Sequence, residues 1–210
     1  MIEIFILSLI QGITEFLPIS SSSHLIIISD YLNLKNQRLE IDVSLHIGSF
    51  FAVIIFFRKD ILNFIKNKNL FLKIIIGSIP VMVVGYLLVK FNLIDQIRNV
   101  KVIAWTTLFF GMVLYFADQK KTNQNISSNL NIKSIIFIGL FQILALIPGV
   151  SRAGITLTAA RYLKFNRVDS SKISFLLSIP ALAGASFLGL KEAFSQSVEI
   201  SYLNVSAVIL

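Results

Sequence analysis

The chain has 210 residues, of which 55% are hydrophobic and 14% charged, and it contains no cysteine. Its mean hydropathy of +0.80 excludes an ordinary soluble domain and is typical of a helical protein that crosses a membrane several times. Without cysteine there is no disulfide framework and no thiolate metal site. The net charge of +8 does not indicate nucleic-acid binding, because the Lys and Arg residues lie in short loops between apolar stretches.

Six apolar segments follow one another along the chain. In order they occupy residues 4–32, 43–57, 74–89, 102–117, 135–163 and 173–190. The four uninterrupted runs reach roughly 22 to 27 Å as helices, close to the hydrocarbon core of about 30 Å, and predict membrane spans. The first and fifth segments are broken by Pro18 and by Pro148 with Gly149. Each arm is too short to cross, which favours a re-entrant helix pair that returns to its own side.

Positive charge is divided unequally between two sets of loops. Residues 58–73, 118–133 and 161–172 together hold 12 Lys and Arg residues, whereas the other loops hold six. Cytoplasmic loops carry the excess of positive charge, so the richer set predicts the cytoplasmic side. The two broken segments then enter the membrane from opposite sides, and the halves 1–117 and 118–210 have opposite topology.

Weak internal similarity supports this arrangement. Gln11, followed by Leu-Pro and a serine, is echoed by Gln142, followed by Ile-Pro and a serine, and Ser-Ile-Pro occurs at both 78–80 and 178–180. We predict an all-α, polytopic membrane protein with one domain over residues 1–210. It consists of inverted repeats, each containing a broken (re-entrant) helix pair. The final ten residues begin another apolar run that is too short to span, so we expect an incomplete C-terminal span.

Polar side chains concentrate at the two breaks. Hydroxyl groups where a new helix starts suit capping or phosphate binding, and an arginine adds a bidentate donor that keeps its charge. Residues four apart share one helix face, so Gln11 and Glu15 can reach the same ligand. The combination predicts an oxyanion site near the middle of the membrane. Its members are Gln11, Glu15, Ser20, Ser21, Ser22, Ser23 and His24 at the first break, and Ser151, Arg152 and Thr156 at the second.

Each of these residues also has a simpler interpretation. The serines could only cap helices, and Glu15 and Arg152 could form a structural ion pair, since each is costly alone in a bilayer. His24 could be a core histidine, and we expect His46 only to pack within its apolar run. The number of polar groups at two symmetric breaks nevertheless favours a functional site.

Two motifs give the sequence a family resemblance. QGITEFLPISS at residues 11–21 with His24, and PGVSR at residues 148–152 with Thr156, resemble the undecaprenyl-diphosphatases associated with bacitracin resistance. The family has Glu or Gln at the position of Gln11. The sequence departs from the family where Ser22-Ser23 replaces a common Thr-Gly and where Ala153 replaces a common serine.

The resemblance implies hydrolysis of undecaprenyl diphosphate to undecaprenyl phosphate and inorganic phosphate. It also implies the bacterial cytoplasmic (inner) membrane, an active site facing the outside, and roles in peptidoglycan synthesis and antibiotic resistance. The partners are then a polyprenyl diphosphate lipid and membrane lipids, with no nucleic acid, while a homo-oligomer is left open. The alternative is a transporter or flippase of a lipid phosphate or another anion, because opposed broken helices are common in transporters.

The resemblance also suggests roles for individual residues. It implies a divalent cation, Mg²⁺ or Ca²⁺, for which Glu15 is the candidate ligand; Glu15 as general base is the alternative. The attacking group is left open among His24, Ser21 and Ser151. The catalytic candidates are Glu15, His24, Arg152, Ser21 and Ser151, and the substrate-binding candidates are Gln11, Ser20, Ser21, Ser151, Arg152 and Thr156.

Overall fold

The computed structural model describes residues 2–32, 39–56, 58–91, 93, 99–195 and 208–209. Over these ranges the chain forms helices and no strand, which confirms the predicted all-α class. The first half comprises α1 (Ile2–Thr14), α2 (Ser21–Tyr31), α3 (Leu39–Phe56), α4 (Arg58–Lys66), α5 (Lys68–Lys90) and α6 (Val100–Asp118). The second half comprises α7 (Ile126–Asn129), α8 (Ile132–Gln142), a 3₁₀ turn (Ile143–Leu146), α9 (Arg152–Tyr162) and α10 (Arg167–Ser195).

Among the residues that the structure describes, three helices are long and apolar enough to cross a membrane, namely α5, α6 and the part of α10 at Arg167–Leu188. Large apolar side chains cover the outer face of α6, where Trp105 is 72% and Phe116 is 68% exposed, as expected for contact with lipid. The predicted span at residues 43–57 falls in α3, whose stretch Ser44–Ile55 is apolar but shorter. The predicted polytopic membrane protein is therefore confirmed. The predicted incomplete span at the C-terminus lies outside the described residues, apart from 208–209.

Both predicted helix breaks are present. Residues 15–20, which include Pro18, separate α1 from α2, and residues 147–151 separate the 3₁₀ turn from α9. Gly149 has a φ of +92°, a backbone conformation that favours glycine. In contrast, Pro80 and Pro180 lie inside α5 and α10 without ending them. Entry and return of the broken helices on one membrane side stays a prediction.

Within the part of the chain that the structure describes, the apolar interior consists of two clusters. The smaller one joins α1, α2 and α3, whereas the larger one joins α4, α5, α8, α9 and α10, so each helix break borders a separate cluster. The smaller cluster contains Ile4, Leu7, Leu25, Ile41 and Leu45. The larger cluster contains Phe64, Ile74, Leu130, Ile135, Ile138, Ala159, Ala160, Phe165, Ile173, Leu176 and Leu177.

The three basic loops meet at one end of the molecule. The buried Arg161 guanidinium donates to the carbonyl oxygen of Asp118 at 2.6 Å, and its Nε lies 2.8 Å from Oδ1 of the same residue. Arg167 pairs with the other carboxylate oxygen of Asp118 at 2.6 Å. From α5, Lys73 donates to the carbonyl oxygen of Leu130 at 2.7 Å. These contacts agree with the prediction that the loops rich in Lys and Arg share one side.

Helices α5 and α8 cross at a pair of glycines. A Cβ added to Gly139 would meet the carbonyl oxygen of Gly77, and a Cβ added to Gly77 would lie 2.8 Å from Cγ1 of Ile135. Small residues allow this close approach of helix backbones, which is a common way of packing helices in membranes. The crossing ties the first half of the chain to the second.

We expect Gly139→Ala to lower the stability by about 1–3 kcal/mol, because the added methyl group forces the two backbones apart. Gly111→Ala in α6 is the matched control, since nothing lies within 4 Å of its added Cβ. The control should leave stability unchanged or raise it by up to about 1 kcal/mol, because alanine favours helix more than glycine. Thermal unfolding of the two purified variants in detergent measures both effects. Equal melting temperatures would contradict the assigned contact.

Candidate functional site

Glu15, the first residue of the first break, is a buried carboxylate with four polar neighbours. Only 7% of it is exposed. Its Oε2 accepts hydrogen bonds from Nε2 of Gln11 at 2.8 Å and from Oγ of Ser21 at 2.6 Å, and Nε2 of His46 lies 3.5 Å away. Its Oε1 accepts from Nη2 of Arg152 at 2.6 Å. Residues from α1, α2, α3 and α9 thus fix one carboxylate.

The second break is held by hydroxyl groups of α6. Oγ1 of Thr106 lies 2.6 Å from the carbonyl oxygen of Pro148, and Oγ1 of Thr107 donates to that of Gly149 at 3.2 Å. A Cβ added to Gly149 would clash with Oγ1 of Thr106 and lie 2.8 Å from the carbonyl oxygen of Ile103. The second break therefore packs directly on α6. This contact positions the start of α9, where Arg152 lies.

The helix that follows each break starts with a serine cap. Oγ of Ser20 accepts from the backbone N–H of Ser23 at 3.4 Å, and Oγ of Ser151 accepts from that of Gly154 at 3.1 Å. Ser151 also donates to the carbonyl oxygen of Leu17 at 3.4 Å, so the two breaks contact each other. The N-termini of α2 and α9 are consequently close together, and such termini attract anions.

The ion pair between Glu15 and Arg152 joins residues 137 positions apart. Each charge neutralises the other in a region where an unpaired charge would be costly. The planar guanidinium has further N–H donors beyond the one that Glu15 accepts, so it can also bind an oxyanion. The site thus combines a fixed carboxylate, an arginine and two helix N-termini.

Two cavities flank this pair. The larger, of about 490 Å³, has a polar end lined by Glu15, Arg152 and four serines, and apolar walls from α5, the 3₁₀ turn and the later half of α10. The smaller, of about 180 Å³, is lined by residues of the first break, α9 and the earlier half of α10. Glu15 and Arg152 are the only two residues common to the described linings. The four serines of the larger cavity are Ser20, Ser21, Ser22 and Ser151.

A profile of the family described as "Bacitracin resistance protein BacA" matches residues 4–210. The chain belongs to this family. It is 57% identical over its whole length to the undecaprenyl-diphosphatase of Pelagibacter ubique (strain HTCC1062), of which it covers 82%. It is 42% identical over 97% of its length to the undecaprenyl-diphosphatase of Saccharophagus degradans, of which it covers 81%. The relative of that name from Ruegeria sp. (strain TM1040) is 39% identical, with 95% of this chain and 80% of the relative covered. The predicted family is thus confirmed.

Most of the predicted site residues come together. Ser20, Ser21, Ser151 and Arg152 line the larger cavity with Glu15. Ser20 and Ser151 thus both cap a helix and face the space where a ligand would lie. Gln11 is buried behind the carboxylate, to which it donates a hydrogen bond, and does not line either cavity. This places Gln11 as a support for Glu15.

Ser23, His24 and Thr156 likewise line neither cavity. Nδ1 of His24 lies 2.7 Å from the carbonyl oxygen of Ser20, one turn earlier in the same helix segment. Thr156 is fully buried, with its Oγ1 2.8 Å from the carbonyl oxygen of Arg152 and 2.7 Å from Oγ of Ser174. Thr156 therefore links α9 to α10 through Ser174, one helical turn after Arg152.

His46 corrects the sequence analysis. We expected it only to pack, but it lines the larger cavity and its Nε2 lies 3.5 Å from Oε2 of Glu15. Thr106 and Thr107 were not singled out at all, although they hold the second break. Each of these three is a polar residue in the middle of an apolar run, and that was the only signal the sequence offered. None of them lies at helical spacing from another motif.

A divalent cation fits this site only with help from the substrate. Among the residues that the structure describes, no three or more of His, Cys, Asp and Glu cluster as metal ligands. Mg²⁺ commonly binds one or two carboxylates together with substrate phosphate oxygens. The Glu15 carboxylate and the Ser21 hydroxyl next to it suit a cation held in that way.

We expect Thr106→Val to lower kcat by about 10- to 100-fold, because the Pro148 carbonyl loses its partner and Arg152 shifts. Thr106→Ser restores the hydroxyl and should recover most of the activity. Thr158→Val is the matched control, since Oγ1 of Thr158 donates only to Gly154 in its own helix. The measurement is steady-state hydrolysis of a polyprenyl diphosphate. Equal activity of the Val variants at 106 and 158 would contradict this role.

We expect His46→Leu to lower kcat by about tenfold, because Glu15 loses a polar neighbour that orients it. His46→Gln should retain more activity, since its amide can donate to the same carboxylate oxygen. The same hydrolysis assay, with thermal unfolding as a check on folding, compares the two variants. Similar losses in both would show that the imidazole ring itself is required.

Proposed function

We propose that this protein hydrolyses undecaprenyl diphosphate to undecaprenyl phosphate and orthophosphate, the activity for which its relatives are named. The observation that carries the proposal is the Glu15–Arg152 pair at the polar end of an apolar cavity. Undecaprenyl diphosphate has a charged headgroup and a long hydrocarbon tail, so its binding site requires both a polar end and apolar walls. The predicted activity and the family membership support each other.

The walls of the larger cavity suit the polyprenyl chain. They include Val81, Met82 and Val89 from α5 and Leu182 and Leu188 from α10. Apolar side chains bind such a chain without a directional contact, because burial of hydrocarbon surface provides the free energy. The diphosphate then lies at the polar end, where hydroxyl groups and backbone N–H groups replace its water shell.

Catalysis at this site relies on positioning and electrostatics. Phosphoryl transfer gathers negative charge on the transferred group and on the leaving oxygen. Arg152 and the N-termini of α2 and α9 stabilise that charge through donors that are already in place. Gln11, Ser21 and His46 hold the Glu15 carboxylate at a fixed position beside Arg152.

A divalent cation is part of the proposal. Glu15 and Ser21 would hold it together with diphosphate oxygens, as the oxygen-rich surroundings allow. When bound, it would supply additional neutralisation of the phosphate charge.

We assign the protein to the bacterial cytoplasmic membrane, with the larger cavity on the outer side. The support comes from the basic loops, which meet at the end where α10 begins, and positive loops favour the cytoplasm. The larger cavity contacts the later half of α10, at residues 181–188, away from that end. A transporter of lipid phosphate or another anion is not favoured, because the relatives are named as diphosphatases.

We expect Glu15→Gln and Arg152→Ala each to lower phosphate release by about 100-fold or more, because each removes a charge that the transition state requires. Arg152→Lys should recover only part of the loss, since an ammonium cannot form the bidentate contact. The assay measures orthophosphate released from undecaprenyl diphosphate in detergent, with and without a chelator. Detergent removes any gradient, so a transporter would release nothing.

Two substitutions outside the site serve as controls. Glu3→Gln lies in the first turn of α1, and Arg167→Ala removes a largely exposed guanidinium at the basic end. Both should keep close to full activity. Full phosphate release by Glu15→Gln or Arg152→Ala would refute the assigned site, and no release by the unmodified protein would refute the proposed function.

A further inference from the structure

The smaller cavity lies on the far side of the ion pair from the larger one. Along α10 its lining residues fall at 171–178, whereas those of the larger cavity fall at 181–188. The centres of these two stretches are about ten residues, or about 15 Å, apart along the helix axis. Only Glu15 and Arg152 line both cavities among the residues described. The Glu15–Arg152 pair therefore separates the larger cavity, which has apolar walls, from the smaller cavity.

The smaller cavity is suited to water. Ser171, Ser174 and Ser178 place three hydroxyl groups along one face of α10 towards it, as their spacing of three and four residues requires. Ser178 donates to the carbonyl oxygen of Phe175 at 2.7 Å, so its oxygen can accept from water. Ser174 lies 3.3 Å from the carbonyl oxygen of Ala153 and already accepts from Oγ1 of Thr156 at 2.7 Å. A volume of about 180 Å³ holds several waters at about 30 Å³ each.

This cavity also reaches the surface at the hydrated end of the molecule. Ser171 is exposed, and it lies in the second turn of α10, close to the charged Arg167 and Lys172. That end carries the basic loops and lies at the level of lipid headgroups and water. Water can therefore enter the smaller cavity without passing through the apolar walls of the larger one.

The direction of attack follows from where the lipid lies. When the polyprenyl chain occupies the larger cavity, the phosphate attached to it lies on the same side of the Glu15–Arg152 pair. The terminal phosphorus then points towards the smaller cavity. In phosphoryl transfer the attacking and leaving oxygens lie roughly in line on opposite sides of phosphorus. Ser21 and Ser151 line the larger cavity, on the same side as the leaving group. The smaller cavity is on the opposite side.

We propose that the smaller cavity is the binding site of the hydrolytic water. One of its waters attacks the terminal phosphorus and forms the new P–O bond, while one proton of that water passes to a non-bridging oxygen of the terminal phosphate. The bond between the terminal phosphorus and the bridging oxygen breaks, and its electron pair stays on that oxygen in undecaprenyl phosphate. The terminal phosphate leaves as orthophosphate. This inference rests on the proposed function and assigns the nucleophile that the sequence left open.

Blocking the smaller cavity tests the inference. Ser171→Leu covers the opening of the smaller cavity, and Ser178→Leu fills its interior. We expect both variants to lower kcat by about 10- to 100-fold, while KM for undecaprenyl diphosphate changes little. Ser178→Ala keeps the space open and should lose less activity than Ser178→Leu. Val168→Leu is the control for Ser171→Leu, because it adds bulk one turn earlier at an exposed residue that lines neither cavity.

A second measurement examines the nucleophile directly. Undecaprenyl diphosphate labelled with ³²P in its terminal phosphate is mixed with the unmodified protein and quenched with acid during turnover. We expect all of the label in substrate and orthophosphate and none on the protein. Label on Ser21, Ser151 or His24 would overturn the inference, as would unchanged kcat in both Leu variants with normal melting temperatures. Either result leaves the proposed function intact if the unmodified protein still releases phosphate.

Discussion

An ion pair inside an apolar helical protein is the interaction on which the rest of the site depends. Glu15 and Arg152 meet at 2.6 Å, and neither charge would be tolerated alone at that depth. Their contact requires two helices to stop and restart at the same place, one from each half of the chain. The breaks therefore place charged groups, backbone amides and hydroxyl groups where a continuous helix would place only apolar side chains.

Broken helices leave backbone groups without partners, and each break satisfies them in its own way. The first relies on local side chains, since Ser20 caps α2 and Ser21 turns back to Glu15. The second relies on a different helix, because threonines of α6 contact the carbonyl oxygens of Pro148 and Gly149. The position of Arg152 thus depends on α6 packing, whereas that of Glu15 depends mainly on the first forty-six residues.

The sequence predicted the elements that carry a local signal. Proline and glycine at 18, 148 and 149 correctly indicated the breaks, while Pro80 and Pro180 are tolerated inside long helices because neighbouring helices support the backbone there. Glu15 and Arg152 were predicted to belong to one site, and a direct ion pair between them was the simpler interpretation, because unpaired charge is costly. His46 and Thr106 were missed, since their roles depend on which helices pack together and not on neighbouring residues. His24 follows the Pro18 break, so spacing from Glu15 did not predict the direction of its side chain.

The separation of Glu15 and Arg152 along the chain has a consequence for biosynthesis. At roughly 5–20 residues per second, the ribosome needs about 7 to 27 seconds to extend the chain by the 137 positions that separate them. Through that interval Arg152 is not available to Glu15, so the carboxyl group must be neutral or in contact with water. The ion pair that joins the two breaks can therefore form only after the second half of the protein has been made as far as Arg152.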